Sequence, residues 1–198
     1  MLTRLSAAKS RADGGHGFFK RAAIGAFGVF CVGASFYVVP GVTGAAGAAL
    51  ALNMLAIAVI DWRFFIIPDE LSALAIGLGL LAVGFDDRGE KLTLALDAVI
   101  RGATMAALFF VFRLAYRRLR EREGMGLGDV KLAGVAGVWL DWPSLPIAVE
   151  IAALAALGFA LSRHIQARRA LDPLARLPFG AFFAPAIWIC WAWARWWS

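Results

Sequence analysis

Seven apolar runs occupy almost the whole chain, at about 22–40, 42–60, 71–85, 94–112, 129–141, 144–162 and 178–197. A helix needs ~20 mainly apolar residues to cross the hydrocarbon of a bilayer directly. The runs at 71–85 and 129–141 are short for that. They are expected either to be extended by flanking residues or to sit in a thinned or water-lined part of a bundle. The chain is 61% hydrophobic with a mean hydropathy of +0.73, and a soluble domain is nearer half apolar. Because the excess is spread along the length, the expected fold is all-α, a polytopic transmembrane helical bundle of about seven spans over residues 22–198. Residues 1–21 are polar and basic, hold Gly14-Gly15 and show no apolar periodicity; they read as a cytoplasmic tail. The tail, the first run and the small residues of 44–48 also imitate a secretory signal, but the tail is long, and removal of the first span would leave the orientation of the rest unchanged.

The formal net charge is +6. The basic residues fall in short gaps between apolar runs, where they orient helices in a lipid bilayer, and nucleic acid is excluded as a partner on that ground. Arg4, Lys9, Arg11, Lys20 and Arg21 precede the first run; five arginines from Arg113 to Arg122 follow the fourth; Arg163, Arg168, Arg169 and Arg176 follow the sixth. The alternate gaps hold few cations. This asymmetry predicts a cytoplasmic amino terminus and an outer carboxyl terminus. Cys31 and Cys190 lie in separate apolar runs without a CxxC pair, and His16 and His164 are isolated in basic, polar stretches. Neither a disulfide framework nor a metal site is indicated, the histidines read as solvated, and no cofactor is expected.

The same count of spans puts two carboxylates, far apart in the chain, at one face. Asp61 ends the second run, in Val59-Ile-Asp61-Trp-Arg-Phe-Phe-Ile-Ile-Pro68-Asp69, and Asp129 opens the fifth, in Gly126-Leu-Gly128-Asp129-Val-Lys131. Ionisable groups at membrane depth are costly and mark functional sites. Two carboxyl groups a few ångström apart resist joint ionisation and share a proton. One can then take a proton from water while the other polarises a carbonyl and donates, with no metal and no nucleophilic side chain. Gly124, Gly126 and Gly128 leave the backbone before Asp129 bare, so it can bend sharply and a substrate strand can come close. Lys131 is placed to favour the ionised form of a nearby acid. Pro68 biases Ile67 away from helix, and an irregular loop is expected after Asp61.

Plainer roles compete. Asp129 also reads as a helix N-cap and Asp61 as a solvated interface residue. Asp69 and Glu70 read as the cap and first-turn acid of the third helix. Asp86, Asp87, Glu90 and Asp141 read as solvated loop residues, and Asp97 with Arg101 as an i, i+4 pair. Glu150 lies inside the sixth run and is expected to face a polar interior or to pair with Arg101. The tryptophans at 188, 191, 193, 196 and 197 read as an interfacial belt. Gly25, Gly28, Gly44, Gly47, Gly77, Gly79, Gly134 and Gly137 would permit close helix contact.

Three blocks together resemble the type IV prepilin peptidases, membrane aspartyl proteases of the GxGD class: Asp61-Trp-Arg-Phe-Phe-Ile-Ile-Pro68-Asp69-Glu-Leu71, Gly126-Leu-Gly128-Asp129-Val-Lys131-Leu-Ala, and Leu177-Pro178-Phe179-Gly180-Ala-Phe-Phe-Ala-Pro185. The likeness spans roughly residues 45–190. It implies Asp61 and Asp129 as the catalytic pair. Gly126, Gly128 and Lys131 would line the site with Pro178, Phe179 and Gly180. The partner would be a prepilin or pilin-like subunit, whose short basic leader is cut at the cytoplasmic face of the inner membrane. Long members carry a cysteine-paired insertion between early spans and methylate the new amino terminus. Here the first two runs nearly abut, so the resemblance is to short, peptidase-only forms serving Flp/Tad-type pili; archaeal preflagellin peptidases are similar in plan.

Two other classes of function are compatible with such a bundle. One is a non-enzymatic scaffold of a pilus or secretion assembly, against which the presence of both acids counts. The other is a proton-coupled transporter, against which their place at one face, away from the midplane, counts.

Overall fold

A computed structural model of the chain describes residues 22–86, 89–120, 125–167 and 177–197. The basic tail, Gly124, Asp87 and several of the gap arginines, among them Arg122 and Arg176, lie outside the described residues. Within them all regular structure is α-helical: α1 (Ala22–Val38), α2 (Val42–Phe64), α3 (Asp69–Val83), α4 (Lys91–Arg120), α5 (Leu127–Trp139), α6 (Ser144–Ala167) and α7 (Phe179–Trp196). The all-α expectation holds. Three of these helices, α2, α4 and α6, are long and apolar enough to cross a membrane, and α1 is a shorter apolar helix.

The short fifth run becomes the centre of the molecule. Every residue from Leu132 to Trp139 is buried, and α5 packs on α4, α3 and α7. A helix apolar on all sides has no solvent stripe to present and is stable only when enclosed. At 13 residues it spans about 20 Å, less than a bilayer core, which its neighbours make tolerable by surrounding it. α2 packs on α7 and α3, and α6 on α7.

Small residues set the closest approaches, though not all of them. A Cβ at Gly137 would lie 2.5 Å from the Arg101 backbone of α4, and one at Gly47 would lie 1.8 Å from the Trp191 ring of α7. At Gly79 it would meet Val138 at 2.6 Å. Gly25 and Gly77, by contrast, have nothing within 4 Å among the described residues, so their expected packing role is not found there. Side chains then tie helices together through backbone carbonyls. Trp139 Nε1 donates to Ala75 O at 2.8 Å, joining α5 to α3, and Asn53 Nδ2 donates to Leu71 O at 3.2 Å, joining α2 to α3.

Several expected surface residues lie elsewhere. Asp86 is buried, not solvated, and accepts from Arg195 Nη2 at 3.2 Å, which fastens the ends of α3 and α7. Trp188 and Trp191 are core residues; Trp188 Nε1 donates to the buried Ser35 Oγ at 3.1 Å, so only Trp193, Trp196 and Trp197 of that series are exposed. Their indole length allows them to fill the gaps that glycine and serine leave on α1 and α2. Arg101 bonds Asp97, as the spacing indicates, and its Nε donates to Gly137 O at 3.1 Å. Glu150 is exposed on α6 and faces no polar interior. Asp141 is exposed and caps α6, accepting from Ser144 N at 3.3 Å. His164 is half-buried.

The α4–α5 contact therefore depends on Gly137. A Gly137→Ala substitution forces backbone against backbone, and overpacking of this kind costs about 1–3 kcal/mol. Thermal unfolding in micelles should show a clear drop in Tm for Gly137→Ala and no change for Gly77→Ala, whose new methyl meets nothing.

Candidate functional site

Four helix ends converge at one end of the bundle. They are the carboxyl end of α2 and the amino ends of α3, α5 and α7. Between them lies a cleft of about 270 Å³, lined by Asp61, Asp69, Gly126, Gly128, Asp129 and Lys131 together with the loop that follows α2. The structure thus brings Asp61 and Asp129, far apart in sequence, into one cleft, near enough for the charge of one to act on the other.

Asp61 stands in the last turn of α2 and is only 5% exposed. Its Oδ2 accepts from the Ala181 N–H at 2.8 Å. Ala181 lies in the first turn of α7, whose amino-terminal N–H groups have no helical carbonyl to bond and carry the positive end of the helix dipole. That turn is a fitting partner for a buried carboxylate. It can come this close because residue 180 is glycine: a Cβ there would lie 2.9 Å from Asp61 Oδ2. Pro178 is the N-cap of α7, and Phe179 packs on Phe183 with ring centroids 5.4 Å apart. Both build the turn that holds Asp61 and are not among the residues lining the cleft.

Asp129 is half-buried and occupies the third position of α5, not the N-cap. Gly126 is the N-cap, and its N–H donates to Asp129 Oδ2 at 3.3 Å. The bare glycine approach thus leaves this carboxylate free to fold back over its own helix start. Met125, just ahead of the N-cap, is held by Arg113 on α4, whose Nε donates to Met125 O at 3.0 Å. Lys131 lines the cleft and bonds Asp69 of α3 across it. The N-cap of α3 is Pro68, and Asp69 is its first helical residue, so Asp69 is no cap either.

Residues 65–68 are irregular, as Pro68 implies, although α2 runs on three residues past Asp61 before they begin. Phe65 ends α2 in the left-handed region at φ 55°, and its N–H closes on Asp61 O at 2.9 Å. That turn drives Ile67 inward until it is 6% exposed. Its side chain wedges between α5 and α7: a Cβ at Gly128 would lie 2.9 Å from Ile67 Cβ, and one at Gly180 would lie 2.6 Å from Ile67 Cδ1. Sequence reasoning named both glycines but missed Ile67 and Ala181. The signal for Ala181 was the proline that starts α7; for Ile67 there was only an apolar residue in a loop.

A larger cavity of about 360 Å³ lies at the far end of the bundle, among Asp86, Asp97, Arg101 and Arg195. Asp86, Arg195, Asp97 and Arg101 are engaged in the ion pairs that fasten α3 to α7 and brace α4, and Asp141, which also lines it, caps α6. The smaller cleft is the better candidate site, because it sets Asp61 and Asp129 within each other's field beside the bare backbone of Gly126 and Gly128.

A sequence profile described as the type IV leader peptidase family matches residues 48–161, which run from α2 through most of α6. Curated relatives agree. The chain is 35% identical over 159 residues to the prepilin leader peptidase/N-methyltransferase of Pseudomonas aeruginosa, covering 77% of this chain and 51% of that one. It is 31% identical over 167 residues to the protein of the same name from Aeromonas hydrophila, covering 82% and 54%. With the Escherichia coli protein it shares 30% over 131 residues, covering 66% and 55%. The chain spans about half the length of these relatives. No solved structure matches it. With the profile covering more than half of its length, the chain belongs to the type IV leader peptidase family.

Proposed function

We propose that this protein is an aspartyl endopeptidase of the bacterial inner membrane that removes the basic leader from type IV prepilins or pilin-like subunits, at the cytoplasmic face, by two-carboxylate activation of water. One observation carries the reading: Asp61 and Asp129 line a single cleft beside glycine backbone. A carboxylate pair that shares one proton supplies both the base and the acid that amide hydrolysis needs. Gly126 and Gly128 allow an extended peptide to approach Asp129 without meeting a side chain. The cleft opens at the end of the bundle that carries Arg113, Arg117, Arg118 and Arg163, the end the positive-inside rule puts in the cytoplasm. Arginines there would repel a basic leader, and their role is orientation. Three residues, 39–41, join α1 to α2, so peptidase activity without methylation is the form proposed. The family relationship supports a leader peptidase, and the short connection favours Flp/Tad-type substrates.

Co-expression with a prepilin from the same genome tests this on a gel that resolves the leader. Asp61→Asn and Asp129→Asn should each reduce cleavage about 10²- to 10⁴-fold, the range for loss of a general acid or base, while the protein still inserts. Full cleavage by either variant removes that acid from the mechanism.

Gly180→Ala probes the support of Asp61. The new methyl would press on both Ile67 and the Asp61 carboxylate, and a displacement of about 1 Å can cost about 10²-fold. The loss should appear in kcat, with normal membrane insertion; unchanged kcat would mean that the turn of α7 does not fix Asp61.

A further inference from the structure

The two carboxylates of the cleft are not held alike, and the difference orders them. Asp61 is buried and bonded at 2.8 Å to a backbone N–H in the first turn of a separate helix, α7. Asp129 is half-buried and makes a longer bond, 3.3 Å, to a glycine N–H at the edge of its own helix. A carboxylate in a buried place is tolerated when fixed donors replace its water; both acids meet a helix amino terminus, α7 for Asp61 and α5 for Asp129, and the shorter bond, to Asp61, is the stronger support. The carboxyl end of α2 acts against a charge on Asp61, but the carbonyl of Asp61 itself is closed by the Phe65 N–H, which weakens that opposition. Other charged groups do not reverse the order. On α5, Lys131 is bonded to Asp69 of α3, so both point their charge at one another. The first turn of α7 offers only backbone and the side chains of Phe179, Ala181 and Phe182. On α2, Arg63 is exposed in the last turn.

We propose that Asp61 is the member of the pair that stays ionised and takes the proton from water, that Asp129 carries the shared proton, and that the Ala181 N–H is the positioning group that fixes this order. The assignment rests on reading the cleft as a peptidase site. Water adds to the scissile carbonyl carbon as one of its protons passes to Asp61; the carboxyl proton of Asp129 passes to the carbonyl oxygen, giving a gem-diol. Asp61 then gives its proton to the amide nitrogen as the C–N bond breaks. One diol hydroxyl returns its proton to Asp129 as the new carboxyl group forms. Both groups end as they began.

The test is the pH dependence of kcat/KM for prepilin cleavage, in wild type and after loss of the Ala181 donor. Ala181→Pro removes that N–H at a position where the ring meets no helical carbonyl, since α7 begins only at Phe179. Replacement of alanine 181 by its α-hydroxy analogue removes the same donor with no change of shape. The two limbs of the profile belong to the pair and not to one residue, but the acid limb follows whichever group ionises first. Loss of a hydrogen bond to a charged group should therefore move the acid limb to higher pH by about one unit or more, with the alkaline limb in place. Movement of the alkaline limb alone would overturn the assignment and make Asp61 the acid; no movement of either would show that α7 does not set the order. If a folded variant cleaves too slowly for a profile, ¹³C-carboxyl NMR titration of labelled aspartates in wild type and variant reads the same order directly, and Asp129 ionising before Asp61 in wild type overturns it. Wild type that cleaves no prepilin, or cleavage that survives Asp61→Asn and Asp129→Asn, would instead refute the peptidase reading itself.

Discussion

The Ile67 side chain fills the space between Gly128 on α5 and Gly180 on α7, and a methyl group at either glycine would lie 2.9 Å or less from it. This wedge sets the spacing of the site. It is buried apolar surface at the meeting point of α5 and α7, and close-packed interiors transmit such constraints with little compliance. With Ile67 in place, α7 cannot slide toward α5, and its first turn is held where the Ala181 N–H meets Asp61. The left-handed turn at Phe65 is what delivers Ile67 to that position. A non-glycine residue there costs on the order of 1 kcal/mol, and local strain of this sort persists where the surrounding structure over-determines it.

The two carboxylates that the cleft brings together were legible in the sequence; the groups that hold them were not. Asp61 and Asp129 stand out because a carboxylate at the end of an apolar run has few cheap explanations, and the alternation of arginines between gaps placed both at one end. The structure does bring them into one cleft. The helix count followed from the apolar runs. What the sequence did not disclose is long-range and carried by ordinary residues. Ala181 acts through a backbone N–H that every non-proline residue owns. Ile67 is one apolar residue among many, and its role exists only because two glycines from distant segments face it. Trp188 and Trp191 lie in a stretch rich in tryptophan, and nothing in that spacing separates the two that fill gaps left by Ser35 and Gly47 from the three that face outward.

The short α5 shows how hydropathy and geometry can part. As an isolated run it is too brief to cross a bilayer, yet every residue from Leu132 to Trp139 is buried. The two facts have one cause. An enclosed helix need not match the hydrocarbon thickness, because its end groups meet protein or water, not lipid. A short central helix leaves room at its amino end, and the cleft occupies that room. Asp129 in the first turn of α5 is therefore half-buried in that opening, which the buried Asp61 also lines.

If the cleft is the peptidase site proposed above, that arrangement answers a difficulty such a reaction faces next to a membrane, which is to bring water and a polar peptide to a site among apolar helices. The surrounding helices need not open if the site is already at the end of the shortest one. Their stability can then come from the other end of the bundle, where Arg195 binds Asp86 and Arg101 binds both Asp97 and the Gly137 carbonyl. Ion pairs at one end, and the Asp61–Asp129 pair beside the exposed Lys131–Asp69 bridge at the other, divide the molecule by charge compensation. At the far end each buried charge has a side-chain partner, and the result is rigidity. At the cleft Asp61 and Asp129 are offered backbone N–H groups instead, which hold a carboxylate in place without neutralising it and leave its proton free to move.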